Sequence, residues 1–365
     1  MTFTATGTRT RVVVVDDSSL MLKMITASLE AEGDIDVVGQ ARNPQEAREI
    51  IKRTDPDVVT LDVEMPGMNG LEFLEKIMSL RPMPVIMVST LTKAGTDVTL
   101  SALHIGAVDA VAKPAGREGL AIFGNELRVK VRNSRGARVR KWVPAQGRAT
   151  GSTNVGGRGG AAPLSRISGV DLIAIGSSTG GVAALFDVVA GLPPNGPPIV
   201  ITQHMPARFT GRFAARLGQQ YAFDVKEAEH GEPIHAGQIR VAPGDRHLCI
   251  QRENGRIVTR LDGNSGPISG HIPSVDVLFN SVCSAIGASS IGLILTGMGR
   301  DGAAGLRAMR NAGAFTIGQN ESSCVVYGMP KAAAALNALD EELDLSQIGP
   351  RVCQFLNSPG ARKRA

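Results

Sequence analysis

Apolar and polar positions along this chain fall into two blocks of strand-and-helix rhythm, separated by a stretch with neither. Between residues 11 and 124, apolar runs at Val12–Val15, Val37–Gly39, Val58–Leu61, Val85–Val88 and Ala107–Ala112 predict strands. Amphipathic stretches lie between them. Leu20–Glu30 puts Leu22, Ile25 and Leu29 on one face, and Leu71–Leu80 does the same with Leu71, Leu74, Ile77 and Met78. Strand–helix repetition at this interval predicts a five-stranded parallel α/β domain. A last helix starts near Gly119, with Leu120, Phe123, Leu127 and Val131 spaced by three or four, and its pattern dissolves through Asn133–Gly136.

The rhythm resumes at Gly169. Three runs, Asp171–Ile175, Pro198–Thr202 and Ile291–Leu295, read as buried parallel strands because they are continuously apolar. Residues 222–270 read instead as short strands and turns, with Ala242-Pro243-Gly244-Asp245 and Leu261-Asp262-Gly263-Asn264 as turn signals. They predict an antiparallel hairpin within or beside a doubly wound, mostly parallel sheet. Val277–Ile286 and Gly302–Ala312 carry helical patterns. The fold class is therefore α/β in two domains, with boundaries at 11–127 and 169–358 and a basic, Gly-rich linker over 128–168.

Composition changes this picture in one place. The chain's net charge of +5 is concentrated: residues 125–168 hold ten Arg or Lys and a single acid, Glu126, so the folded domains are net acidic. A basic stretch suggests nucleic acid. One Trp and two Tyr in 365 residues are poor material for base stacking, so a solvated linker is the favoured reading and nucleic acid is disfavoured. Cys249, Cys283, Cys324 and Cys353 form no C-x-x-C pair and read as buried free thiols of a reducing compartment. Met1–Thr10 is polar and no run approaches the roughly 18 apolar residues of a membrane helix, so a soluble, cytoplasmic protein without membrane insertion is expected.

Candidate chemistry sits at strand ends. Asp16 and Asp17 follow the first predicted strand, Asp62 follows the third and Lys113 follows the fifth. In a 2-1-3-4-5 sheet the first and third strands are neighbours, so three carboxylates crowd one site. Like charges that close call for a cation, and an oxygen-only site suits Mg²⁺. The run Leu61-Asp62-Val63-Glu64-Met65-Pro66-Gly67-Met68-Asn69-Gly70 resembles the acceptor turn of response-regulator receiver domains, which are flavodoxin-like (βα)5 folds. The resemblance implies phosphorylation of Asp62 by a sensor histidine kinase. It also implies Mg²⁺ held by Asp17, Asp62 and the Glu64 carbonyl, and a Ser89 hydroxyl that contacts the phosphoryl group. Many receivers carry an aromatic three residues before the lysine. Here that position is Ala110, which shifts the expected relay to the Ser89–Leu91 loop.

In the second block each apolar run stops at a residue suited to acyl transfer. The first leads into Gly176-Ser177-Ser178-Thr179-Gly180, a G-x-S-x-G with Ser178 in the nucleophile position. A tight turn or a phosphate cradle are the other readings of that loop, although no Walker lysine follows it. The second run ends at His204, and the third leads to Asp301 among Gly297, Gly299 and Gly302. Together they supply nucleophile, base and orienting carboxylate. Their order, Ser-His-Asp, excludes the usual α/β-hydrolase topology.

The receiver pattern, the linker, G-x-S-T-G-G, T-Q-H-M-P, Pro273–Phe279 and L-T-G-M-G-x-D-G together resemble the chemotaxis protein-glutamate methylesterase (CheB) family. The resemblance implies Ser178, His204 and Asp301 as catalytic residues, with support from Thr179 and an oxyanion donor in the Met298 amide. It implies hydrolysis of glutamate methyl esters on methyl-accepting chemoreceptors with release of methanol, deamidation of receptor glutamines, and no cofactor for the esterase reaction. Activity is expected to be masked by the receiver until Asp62 is phosphorylated. Competing readings are a non-catalytic regulator that binds receptors or nucleic acid through its basic linker, and a serine hydrolase of small esters.

Overall fold

The computed structural model describes residues 9–65, 69–90, 92–114, 116, 119–142 and 169–358, in two compact units divided after Trp142. The first contains β1 (Thr10–Val15), α1 (Ser19–Glu30), β2 (Ile35–Ala41), α2 (Pro44–Thr54), β3 (Val58–Asp62), α3 (Gly70–Leu80), β4 (Val85–Ser89), α4 (Lys93–Ile105), β5 (Asp109–Ala112) and α5 (Gly119–Ser134). The sheet order is β2-β1-β3-β4-β5, with every pair parallel, as the strand spacing predicts. Val12 to Val15 are at most 1% exposed, so both faces of β1 are covered and the strand reads as a run, not an alternation. Side-chain caps fix where the helices start: Ser18, Asn43, Asn69 and Thr92 each accept from an amide three residues on.

The last helix of this unit runs as far as its sequence pattern does, beyond residue 127. Leu127 and Val131 are both fully buried, and α5 continues to Ser134. The Trp142 amide then donates to the Met78 carbonyl at 3.0 Å, and its ring meets His104 edge-on. The first part of the expected basic arm, residues 128–134, is therefore helix, and its three cations are paired within the unit. Arg128 pairs with Glu32, Lys130 with Asp109 and Glu126, and Arg132 with Glu32 and Asp34. The remaining linker, 143–168, and the basic tail from 359 lie outside the described residues.

The second unit contains β6 (Leu172–Ser177), α6 (Gly181–Ala190), β7 (Ile199–Gln203), α7 (Ala207–Gln220), β8 (Asp224–Glu227), β9 (Gln238–Val241), β10 (His247–Glu253) and β11 (Arg256–Asp262). After them come α8 (Val275–Ala285), β12 (Ser290–Ile294), α9 (Ala303–Asn311), β13 (Phe315–Gln319), α10 (Met329–Ala335), β14 (Glu341–Leu343) and α11 (Leu345–Leu356). Seven strands form one parallel sheet in the order β14-β13-β12-β6-β7-β9-β8. The expected hairpin is β10–β11, which makes its own antiparallel sheet beside the main one. Its Asn254-Gly255 turn has both φ angles positive (48° and 77°), the conformation that matches strand twist in a two-residue hairpin. Leu248 and Ile250 of the hairpin join the core formed with Leu278 and Val282 of α8. The short strands β8 and β9, in contrast, belong to the parallel sheet.

β6 sits in the middle, entirely buried, with β7 on one side and β12 on the other. The chain leaves β6 toward one edge and later returns to its opposite side. That reversal opens a crevice at the strands' carboxyl ends, where open α/β sheets hold their sites.

Candidate active site and acidic pocket

Ser178 and His204 stand at adjacent strand ends. Ser177 of β6 pairs with Gln203 of β7, and the His204 amide donates to the Ser177 carbonyl at 3.1 Å. The Gln203 side chain, 3% exposed, ties the two loops together. Its Oε1 accepts from Ser177 Oγ at 2.7 Å, and its Nε2 donates to the Ser178 carbonyl at 2.9 Å and the His204 carbonyl at 3.0 Å. The Ser178 amide donates to the Thr296 carbonyl at 3.0 Å, which fastens the serine turn to the loop after β12. Gly180 closes that turn with φ 75°, and a Cβ there would lie 2.6 Å from Val325. Gly297 meets the turn from the other side: a Cβ on it would lie 2.7 Å from Ser178 Cβ.

Asp301 does not cap the helix that follows it. Gly302 is the N-cap of α9 and makes no side-chain cap bond. The Asp301 carboxylate is 1% exposed and points instead at the start of α8. There it accepts from Ser274 Oγ at 2.7 Å, the Val275 amide at 2.7 Å and the Asp276 amide at 3.1 Å. A helix N-terminus favours a negative charge. His204 Nε2 supplies the fourth contact at 2.8 Å. Burial alone would raise this carboxyl, but the bonds from His204, Val275 and Ser274 outweigh it and hold the group at about 2. With Nε2 committed to Asp301, His204 Nδ1 is left buried and without a hydrogen-bond partner.

The structure thus brings the three sequence-predicted residues to one crevice and closes the His204–Asp301 contact. Thr179 is 9% exposed, and its carbonyl accepts from Thr296 Oγ1 at 3.0 Å. The Met298 side chain is exposed, and its amide donates to no acceptor among the described residues. Sequence reasoning passed over two further histidines. His247 is fully buried: Nε2 meets the Gly266 carbonyl and Nδ1 accepts from the Ser274 amide, pinning the loop that leads into α8. His271, on that loop, stacks face to face on His204. The histidine's place beyond a hairpin, away from any strand end, gave no local signal.

In the N-terminal unit, Asp16, Asp17 and Asp62 offer carboxylate oxygens within 4.8 Å of one another. Lys113 Nζ lies 2.8 Å from Asp16 and 2.9 Å from Asp62. Burial pushes the Asp62 carboxyl up to about 6, although Lys113 pulls it the other way. One ammonium is too little cation for three clustered acids. The donor set fits Mg²⁺, which takes oxygen ligands and keeps several waters. Asp16 lies beside Asp17 and Asp62 of the set that the resemblance implied. The Glu64 amide donates to Asp62 Oδ1 at 3.3 Å, and its side chain turns outward to accept from Thr90. Ser89 is buried and its hydroxyl meets the Thr90 and Gly95 carbonyls. Residues 66–68 of the acceptor turn and Leu91 lie outside the described residues. Of the four cysteines, all free thiols, only Cys324 is buried; the other three are partly exposed, which corrects the expectation.

A phosphorylatable α/β unit followed by a parallel sheet with a Ser-His-Asp crevice defines a receiver-linked serine hydrolase as the class. Comparison with known proteins agrees with it. Residues 12–122 match the response regulator receiver domain, and residues 173–352 match the CheB methylesterase family. The protein-glutamate methylesterase/protein-glutamine glutaminase 1 of Caulobacter vibrioides is 51% identical over 352 residues, covering 95% of this chain and 98% of its own. The protein-glutamate methylesterase/protein-glutamine glutaminase of Agrobacterium fabrum is 51% identical over 350 residues, covering 94% and 96%. That of Salmonella choleraesuis is 46% identical over 344 residues, covering 94% and 95%. The chain belongs to the CheB methylesterase family, with a receiver domain ahead of its methylesterase domain. Among the described residues, no helix is long and apolar enough to cross a membrane.

Proposed function

We propose that this protein hydrolyses glutamate methyl esters on chemoreceptors, releasing methanol, deamidates receptor glutamines at the same site, and is regulated by phosphorylation of Asp62. The reading is carried by full-length similarity to proteins named for both activities, together with the 2.8 Å His204–Asp301 contact at the crevice.

In this mechanism Ser178 Oγ attacks the side-chain carbonyl carbon as His204 Nδ1, the ring nitrogen not engaged by Asp301, takes its proton. The Met298 amide, which donates to no acceptor among the described residues, and the turn around Thr179 would stabilise the oxyanion. His204 returns the proton to the leaving methoxide or amide, giving methanol or ammonia. Water, deprotonated by His204, then cleaves the acyl-enzyme, and Ser178 recovers its proton. General acid–base help contributes about 10²–10⁴-fold and one oxyanion donor about 10²–10³-fold. Asp301 stays ionised throughout, fixed by four donors.

In the receiver, Asp16, Asp17, Asp62 and the Glu64 carbonyl would hold Mg²⁺, which supplies positive charge beside a phosphoryl group. Asp62 is the acceptor carboxylate, Lys113 offers a cation to the phosphoryl oxygens, and the Ser89 hydroxyl at the end of β4 would contact the phosphoryl group after leaving the Thr90 and Gly95 carbonyls. The phosphodonor is a sensor histidine kinase, and the protein works in the cytoplasm beside its receptors. The rival reading as a binding protein with a basic arm loses support because Arg128, Lys130 and Arg132 are spent on ion pairs within α5's own unit.

The test is methanol release from methylated receptor by the full chain, with and without an acyl-phosphate donor and Mg²⁺. Ser178→Ala should abolish release under both conditions. Near-normal turnover by that variant would overturn the mechanism.

A further inference from the structure

The His271 ring lies on the His204 ring with centroids 3.8 Å apart and planes inclined by only 9°. Two neutral aromatic rings gain little from parallel faces held this close, because their like-signed π faces oppose each other. The same arrangement is favourable once one ring carries positive charge, since a cation is drawn to a π face. His204 becomes that cation when it takes the Ser178 proton. A contact that improves only at that moment lowers the barrier without tightening substrate binding.

The surroundings keep His271 in place and neutral. It closes a tight turn with Ile268, each amide donating to the other's carbonyl at 3.0–3.1 Å. Ser269 and Gly270 occupy the turn with φ 55° and 84°. His247 anchors both sides of that turn, through the Gly266 carbonyl and the Ser274 amide. Burial and the neighbouring His204 push the His271 imidazole down to about 4, so it is uncharged at neutral pH. Its ring makes no hydrogen bond among the described residues, so its contact with the site is the stack itself.

We propose that His271 is a positioning residue whose neutral ring face holds the plane of His204 and stabilises the imidazolium formed during acyl transfer. The inference rests on the Ser178–His204–Asp301 reading. It asks of His271 a π face, and neither a proton nor a hydrogen bond.

Two substitutions separate these roles in the full-length protein: His271→Phe keeps a π face and discards both nitrogens, and His271→Leu fills the space without one. Turnover of methylated receptor is measured per active site, counted with a serine-directed phosphonylating reagent, with Ser178→Ala alongside. We expect His271→Leu to lose on the order of tenfold in kcat with KM unchanged, equivalent to about 1.4 kcal/mol. His271→Phe should stay within about threefold of the parent. Loss in the Phe variant equal to that in the Leu variant would overturn the proposal in favour of a hydrogen-bonding role. A Leu variant within twofold of the parent would overturn any role for the stack. Activity surviving in Ser178→Ala would instead strike at the triad reading itself.

Discussion

Replacing Asp301 by Asn tests the geometry of the site most severely, because it changes one atom and one charge. Asp301 Oδ1 accepts from Ser274 Oγ and the Asp276 amide, and Oδ2 accepts from His204 and the Val275 amide. An asparagine has one acceptor oxygen, and two donors already claim each position. With the oxygen kept toward Ser274 and Asp276, the new NH₂ confronts His204 Nε2 and the Val275 N–H. His204 can then bond it only through an unprotonated Nε2, which places its proton on Nδ1. That is the atom required as base toward Ser178. In a triad this tautomer error costs about 10⁴-fold in kcat. A second magnitude comes from the carboxyl's position at about 2 against an ordinary 3.8, equivalent to about 2–3 kcal/mol of stability at neutral pH. Because the folded-state value is depressed, that stability is present above pH 4 and is lost as pH falls toward 2. The Asn variant should therefore be less stable to urea at pH 7 and show a flatter acid limb between pH 4 and 2. Its kcat for methanol release should fall about 10⁴-fold while the fold persists. A folded Asp301→Asn protein within about 30-fold of the parent rate would refute the tautomer argument.

Gly297→Ala should cost on the order of 10²-fold in kcat, because the new Cβ would lie 2.4 Å from Met329 Sδ and 2.7 Å from Ser178 Cβ and displace the serine; an unchanged rate of labelling by a serine-directed reagent would count against it. Mg²⁺ binding to the receiver should weaken by roughly tenfold between pH 7 and pH 5 in calorimetric titrations, since below about 6 the metal must displace a proton from Asp62. Equal affinity at the two pH values would show that Asp62 is not a ligand.

Much of the fold was legible because parallel strands covered on both faces announce themselves as unbroken apolar runs. Leu172–Ile175, Ile199–Ile201 and Ser290–Ile294 are such runs, and each delivers a functional side chain just beyond its end. Strand β13, Phe-Thr-Ile-Gly-Gln, went unread because Thr316 and Gln319 interrupt its apolar character; both are buried, satisfied by Asp340 and by Thr296 and Ser323. Helix α5 was legible to its end at Ser134, but not the pairing of its Arg and Lys, because their partners Glu32, Asp34 and Asp109 lie far away in sequence. The same limit applies at the site. Ser178, His204 and Asp301 were visible as strand-end residues. Gln203, Ser274, His247 and His271 owe their roles to what the fold brings against them, and a local pattern carries no trace of that.

The position of β6 between β7 and β12 also governs when this site can exist. Nucleophile and base emerge early and on neighbouring strands, but the carboxylate that orients the base arrives only after the chain has built the hairpin and α8 and paired Ser290 with Leu172. Asp301 moreover needs the first turn of α8 to hold its charge. A chain still emerging from the ribosome with 290 residues made therefore contains its serine and histidine but not Asp301, and has no working triad. Esterase activity in this protein therefore requires the pairing of β12 with β6, so its appearance during refolding should coincide with that pairing and not with the formation of the serine turn.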